Sequence, residues 1–207
     1  MALLHPGVTK AVIFDLGGVI VSFDFKRAYA RLETLCPYAA AEIPKRLRAA
    51  GIAPRFEKGE IGAADFVQEI STLLELRVTH EEFCEIFNCI FLPETLVPES
   101  LLVRIRERCR LLLLSNTNPI HFSMIERTYP ILAHFDDVVL SYRVGLQKPA
   151  AEIYRAAIAL AGCQPGECFF TDDMSSNVDG AIAEGMDAVR FESAGQIEVE
   201  LRRRGVI

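Results

Sequence analysis

No stretch of this 207-residue chain approaches the roughly 20 consecutive apolar residues that a membrane-spanning helix requires. The purest apolar run is only Leu111-Leu112-Leu113-Leu114. The composition is 51% hydrophobic, ample for a packed interior, and the reading is a soluble globular chain with no membrane partner. The opening residues Met1-Ala2-Leu3-Leu4-His5-Pro6 lack a basic segment followed by a long apolar one. No secretion signal is therefore expected, and a cytoplasmic location is the default. Paired-cysteine motifs are missing as well. Cys36, Cys84, Cys89, Cys109, Cys163 and Cys168 show no CxxC spacing, and several fall on apolar helical or strand-like segments. They read as reduced, structural thiols. Positive charge is in short supply: 22 Lys and Arg against 28 Asp and Glu leave a net charge of −6. The only basic cluster, Arg202-Arg203-Arg204, reads as a solvated helix end, so no nucleic-acid partner is expected. Long-period repeats and low-complexity tracts are also absent from the sequence.

What is present alternates. Ala11–Phe14, Leu111–Leu114, Val138–Leu140, Cys168–Thr171 and Ala188–Phe191 are short apolar runs that read as core strands. Helical segments separate the later ones: Glu99–Arg108, Pro149–Leu160 with proline in its first turn and Gly162 at its stop, and Ser175–Glu184 ending at Gly185. Such alternation predicts an α/β fold, a doubly wound parallel sheet with helices on both faces. The first two strands, however, lie too far apart for one crossover helix. The intervening stretch shows helical spacings over Lys26–Leu35, Ala41–Ala50, Ala63–Leu76 and Thr79–Ile90, with breaks at Pro37, Gly51 to Pro54, Gly59 to Gly62 and Pro93. Thr79 and Glu82 have capping-box spacing. The expected organisation is a core built from residues 1–23 and 97–207 and a small helical cap over 24–96.

Four strand ends carry polar chemistry. Asp15 ends the first run and enters the turn Leu16-Gly17-Gly18-Val19. This puts a carboxylate at the C-terminal edge of a sheet, where open α/β folds bind ligands, although an Asp there can also simply cap a helix. After the second run, Ser115-Asn116-Thr117-Asn118-Pro119 offers hydroxyl, amide and free backbone N–H groups at a helix start, an arrangement suited to an anion such as phosphate or to plain capping. Lys148, in Gln147-Lys148-Pro149-Ala150, can neutralise a phosphate oxygen and keep a nearby carboxylate ionised, or can be an ordinary exposed lysine. After the fourth run come Asp172 and Asp173, followed by Met174-Ser175-Ser176-Asn177. Two adjacent carboxylates brought beside Asp15 repel unless a hard cation offsets them, and Mg2+ is the economical choice. Taken together these are the parts of one reaction: Asp15 as nucleophile, Ser115 and Asn116 around the phosphoryl group, Lys148 for charge balance, Asp172 and Asp173 for the metal.

In that order the motifs resemble the haloacid dehalogenase (HAD) superfamily, from Phe14-Asp15-Leu16-Gly17-Gly18-Val19 to Asp172-Asp173-Met174-Ser175-Ser176-Asn177-Val178-Asp179-Gly180-Ala181. Val19-Ile20-Val21, Leu114 to Asn118, Tyr129-Pro130, Lys148-Pro149, Ile153-Tyr154, Phe170 to Asp173 and the cap phrase Glu57-Lys58-Gly59-Glu60-Ile61 are similar to a bacterial subgroup that includes α-D-glucose-1-phosphate phosphatase. The resemblance implies a Rossmann-like core, a magnesium-dependent phosphatase acting on a small phosphorylated metabolite such as a sugar phosphate, and an aspartyl-phosphate intermediate. It also implies a metal held by the Asp15 carboxylate, the Gly17 carbonyl and one motif-four Asp. Aligning Asn177 with the superfamily's final acidic or amide position favours Asp173 as the direct ligand, with Asp172 as an outer-shell or alternate one.

One position departs from the pattern. Most phosphatases of the superfamily carry a second Asp two residues after the nucleophile, which protonates the leaving oxygen; here that position is Gly17. General acid–base catalysis is worth about 10²–10⁴-fold. Its loss predicts a preference for leaving groups that need little protonation, such as anomeric sugar or aryl phosphates, unless Asp24, Glu57 or Glu60 replaces the acid. Three other functions fit the same frame: a haloacid dehalogenase, whose halide leaves without a proton but which would have no use for adjacent Asp172 and Asp173; a sugar phosphomutase; and a catalytically impaired binding protein.

Overall fold

The computed structural model describes residues 8–207; the Met1–Pro6 segment read above for a leader lies outside the described residues. In chain order the elements are β1 (Ala11–Phe14), β2 (Val21–Phe23), helices α1 (Phe25–Glu33), α2 (Ile43–Ala50), α3 (Ile52–Glu57), α4 (Ala63–Leu74) and α5 (His80–Asn88), then β3 (Phe91–Thr95), α6 (Glu99–Arg106), β4 (Arg110–Ser115), α7 (Pro119–Thr128), β5 (Asp137–Leu140), α8 (Ser141–Val144), α9 (Ala151–Ala161), β6 (Cys168–Asp172), α10 (Ser175–Ala183), β7 (Asp187–Arg190) and α11 (Ala194–Arg203). The main sheet has five parallel strands in the order β5-β4-β1-β6-β7.

The three central strands have no polar face because both faces are covered. Val12, Phe14, Leu111, Leu113 and Phe169 point into one apolar cluster, shared with Leu102 and Ile105 of α6 and Ile197 of α11. Ala11, Ile13, Leu112, Leu114 and Phe170 point into the other, with Ile153 and Ala157 of α9 and Ala181 of α10. Alternation along each strand thus divides the residues between two cores rather than between core and water. Phe14 pairs with Leu113 on one side and with Thr171 on the other. The next residue, Asp15, donates its backbone N–H to the Thr171 carbonyl at 3.0 Å, which sets it level with Asp172.

Helices α1 to α5 are inserted between β1 and β4, and at their base is a feature that was not anticipated. β2 and β3 form a two-stranded antiparallel ribbon that brackets α1 to α5. The stretch from Gly51 to Pro54, expected as a break, is instead a tight corner between two helices. Gly51, at φ +63°, ends α2 and immediately precedes α3, where Pro54 falls within the first turn and lacks only an N–H that has no intrahelical partner there. The Thr79–Glu82 capping box forms as its spacing indicates. Pro149 lies outside its helix, which starts at Ala151 with Ala150 as the capping residue. The insert has its own apolar cluster, including Phe56, Phe66, Ile70 and Phe83, and Ile120 of α7 plugs into it from the core.

At the C-terminus, Arg202 and Arg203 sit at an exposed helix end, but Arg204 does not behave as a solvated charge. Its guanidinium pairs with Asp187 and Glu200 and stacks 4.4 Å over the Phe169 ring. All six cysteines are free thiols. Among the described residues no helix is long and apolar enough to cross a membrane.

Candidate active site

Four of the residues singled out by spacing meet at the C-terminal edge of the central strands. The Lys148 ammonium is the hub: it donates to Asp172 Oδ2 at 2.5 Å and to the Leu114 carbonyl at 3.0 Å, and forms an ion pair with Asp15 Oδ1 at 2.8 Å. Its side chain is 1% exposed and that of Asp172 fully buried. Asp172 is tied further by Asn177, whose amide donates to both carboxylate oxygens at 3.0 Å, and by the Met174 backbone N–H at 2.9 Å. Tyr154 steadies this corner from α9, donating its hydroxyl to the Asn177 carbonyl at 2.8 Å.

Burial pushes the Asp15 carboxyl up to about 6; Lys148 pulls it down, and neighbouring Asp172 adds to the rise. For Lys148, burial alone would drive the ammonium down, but Asp15 and Asp172 outweigh it and hold the group above the usual lysine value. Asp173, half-buried, is raised first by burial and then by Asp172. Two carboxylates share one ammonium here and a third stands beside them, leaving an excess of negative charge that a cation would relieve. Asp15, Asp172 and Asp173 each offer an oxygen within 4.8 Å of the others.

The glycine turn after Asp15 is shaped by what crowds it. Gly18 adopts φ +75°, and a Cβ there would lie 2.7 Å from Asp173 Oδ2. The backbone at Gly18 therefore approaches the carboxylates more closely than any side chain allows. At Gly17 a Cβ would lie 2.9 Å from the ring of Phe23 on β2. The space beside the missing second acid is filled by an aromatic ring.

On the other side of Asp15, Ser115 ends β4 and is buried. Asn116 uses both ends of its amide on the Lys148 backbone, donating Nδ2–H to the Lys148 carbonyl at 3.0 Å and accepting the Lys148 N–H at 2.9 Å. Ser141, unnoticed in the sequence because it simply follows an apolar strand, donates its hydroxyl to the Thr117 carbonyl at 3.0 Å and accepts the Thr117 N–H at 2.9 Å. Asn118 caps α7, which opens on Pro119.

A cavity of about 470 Å³ lies between these residues and the helical insert, and Gly17, Ser115, Asn116 and Thr117 form its core side. Of the three carboxylates considered as replacements for the missing acid, Asp24 caps α1 by accepting the Lys26 N–H and Glu60 is exposed. Glu57 alone lines the cavity, held by Gln147, whose amide donates to Glu57 Oε2 at 3.0 Å. Burial raises the Glu57 carboxyl, with the Gln147 hydrogen bond opposing.

His121, overlooked in the sequence, fastens α7 to the insert. Its ring stacks on Phe87 at 3.9 Å between centroids, and its nitrogens lie 3.0 Å from Asn118 Nδ2 and 3.2 Å from the Phe87 carbonyl. Asn118 Oδ1 already accepts the His121 backbone N–H, so its amide must donate to Nδ1 and the proton sits on Nε2. Burial lowers this imidazole to about 4. The only advance sign was a His three residues after a capping Asn.

Residues 9–185 match the family model for haloacid dehalogenase-like hydrolases. The chain is 29% identical over 201 residues to D-ribitol-5-phosphate phosphatase of Bacteroides thetaiotaomicron, covering 93% of this chain and 96% of that one. It is 27% identical over 194 residues to a phosphatase of Mycobacterium tuberculosis, covering 90% of this chain and 89% of that protein. A crystal structure of a HAD family enzyme of Bacteroides thetaiotaomicron, in complex with magnesium and inorganic phosphate, superposes with a TM-score of 0.79 at 28% identity, over 89% of this chain and 94% of that one. With a match spanning most of its length and the family's parallel sheet around it, this chain belongs to the haloacid dehalogenase-like hydrolases.

Proposed function

We propose that this hydrolase is a magnesium-dependent phosphatase of the cytoplasm that cleaves a small phosphomonoester through a phosphoryl group carried on Asp15. The reading rests above all on the single ammonium of Lys148 bridging Asp15 and Asp172 at the sheet's C-terminal edge. A bare scaffold has little use for such a costly buried cluster. The phosphatases among the relatives, one of them acting on a sugar-alcohol phosphate, support the same chemistry.

The donor set fits a hard cation: three carboxylates with oxygens within 4.8 Å of one another, and no soft ligand among them. Asp15, the Gly17 carbonyl and Asp173 would hold it. Asp172, whose oxygens are already engaged by Lys148, Asn177 and the Met174 N–H, would stand in the outer shell. When bound, the metal would offset the charge gathering between the carboxylates and the phosphoryl oxygens. Lys148 keeps Asp15 ionised, so an Asp15 oxygen can attack phosphorus while the ester oxygen leaves with its electron pair. Water then attacks phosphorus, frees inorganic phosphate and restores the carboxylate. Ser115 would hold the phosphoryl group through its hydroxyl. Asn116, whose amide is committed to Lys148, would do so through its backbone N–H. Residues 24–96 act as the cap domain that encloses the substrate.

The likeness to α-D-glucose-1-phosphate phosphatases and the ribitol-phosphate relative supply the first substrates to try. A panel of phosphomonoesters with Mg2+ is the direct test, run beside Asp15→Asn. Turnover by the parent, none by the variant, and a phosphoryl adduct on the Asp15 peptide after acid quenching are the expected results. Undiminished turnover by the variant would refute the covalent route.

A further inference from the structure

The cavity beside the carboxylates is walled mainly by hydrocarbon. Phe23, Phe25, Tyr29, Leu47, Phe87 and Phe91 face it from the insert and the β2–β3 ribbon. Its formally charged side chains among the described residues are Glu57 and Arg48, since burial keeps His121 neutral near pH 7. The polar groups at its core end are largely spoken for: the Asn116 amide by the Lys148 backbone, the Asn118 side chain by His121, and the Thr117 N–H by Ser141. A polyol brings a hydroxyl on nearly every carbon, and beyond Arg48, Glu57 and the Tyr29 hydroxyl the wall offers few partners for those stripped of water. A flat ring brings none of that penalty and meets aromatic faces suited to stacking.

Gly17 and Phe23 independently disfavour ordinary alkyl esters, while the apolar wall sets an aryl group apart from an anomeric sugar. No carboxyl stands at position 17 to protonate the departing oxygen, and the Phe23 ring occupies the adjoining space. A phenol loses its proton near pH 10, so a phenolic oxygen can depart as the anion, whereas an alkoxide is far more basic and needs a proton as it leaves.

Building on the phosphatase reading, we infer that the preferred substrate is the phosphate monoester of an aromatic hydroxyl group, its ring lodged among Phe23, Phe25, Phe87 and Phe91. The Asp15–phosphorus bond forms as the phosphorus–aryl oxygen bond breaks, and the electron pair leaves on the aryl oxide. That oxide takes its proton from water outside the step. Hydrolysis of the aspartyl phosphate by a second water completes the cycle.

The test compares phenyl phosphate, cyclohexyl phosphate, glucose 1-phosphate and ribitol 5-phosphate with Mg2+, using acetyl phosphate as a small activated control. Phenyl phosphate should exceed cyclohexyl phosphate at least 100-fold in kcat and each polyol phosphate at least 100-fold in kcat/KM. Phenylphosphonate should inhibit at least tenfold more tightly than 2,3-dihydroxypropylphosphonate, a binding readout independent of bond cleavage. Phe25→Asn, on the exposed part of the wall, should raise KM for phenyl phosphate about tenfold. Equal kcat for phenyl and cyclohexyl phosphate, as Glu57 acting as the acid would produce, would overturn the inference. So would a polyol phosphate that matches phenyl phosphate. Failure to turn over acetyl phosphate or any ester would instead remove the phosphatase reading beneath it.

Discussion

The ring of Phe23 stands against Gly17 so closely that a Cβ at position 17 would lie 2.9 Å from its Cε1. The position is therefore a matched pair in which an aromatic ring fills the space beside a residue without a side chain. Gly17→Asp alone should lower kcat, because the new side chain must push the ring aside or be pushed out of line itself. Combined with Phe23→Ala, the same substitution should raise kcat on an alkyl ester such as glycerol 1-phosphate about 100-fold over Phe23→Ala alone, within the usual range for general acid catalysis. Steady-state rates of the three variants decide it, and a gain by Gly17→Asp unaided would show that the ring is no obstacle.

Among the described residues Lys148 is the sole ammonium between Asp15 and Asp172, and its side chain is 1% exposed. Lys148→Met keeps the length of the stem and deletes the charge, leaving two buried carboxylates facing each other. Breaking a buried pair in this way typically costs about 3–5 kcal/mol. The expected result is a marked fall in stability to urea in metal-free buffer, partly recovered on adding Mg2+, together with loss of phosphatase turnover. A variant as stable as the parent without metal would mean that the carboxylates are not forced together.

Much of this arrangement could be read from the chain because buried parallel strands are short apolar runs. Such runs end abruptly, and Asp15, Ser115 and Asp172 are the polar residues at their ends. The parts that could not be read depend on contacts without local periodicity. β2 and β3 pair across the whole insert, with Val21 opposite Thr95 and Phe23 opposite Phe91. α3 forms despite Gly51 and Pro54, because glycine can end one helix and proline is tolerated in the first turn of the next. Asn116 looked like a phosphate ligand by residue type. Only the fold shows its amide committed to the Lys148 backbone. Arg204, one of three consecutive arginines, is set apart from its neighbours by reaching Asp187 and the face of Phe169, a long-range choice that no local pattern encodes.

Gly18 couples the backbone turn to the carboxylate cluster of Asp15, Asp172 and Asp173. At φ +75°, an alanine is strained by about 1 kcal/mol or more, and its Cβ would also sit 2.7 Å from Asp173 Oδ2. Gly18→Ala should displace Asp173 and weaken Mg2+ binding at least tenfold. The check is the rise in melting temperature with added Mg2+, which should need correspondingly higher concentrations in the variant. A Mg2+ titration that superposes on the parent's would separate Asp173 from the metal.

His121 makes the junction between the core and the insert sensitive to acid. Its folded pKa of about 4 lies below the usual 6.5 because the ring is buried between Asn118 and Phe87. The unfolded chain therefore binds a proton between pH 6.5 and 4 that the folded protein refuses, so stability falls as pH drops through that window. At pH 5 the cost is about 2 kcal/mol relative to pH 7. Protonation would also place an N–H on Nδ1 against the donating amide of Asn118, loosening α7 from α5 where the cavity closes. Asp15 in the metal-free protein works in the opposite direction, since its raised carboxyl favours the folded state as pH falls below about 6. The informative quantity is thus the difference between the parent and His121→Leu in urea unfolding at pH 7 and pH 5. The parent should lose about 2 kcal/mol more than the variant over this interval, and an equal loss in both would mean that the imidazole titrates normally and plays no part in holding the insert down.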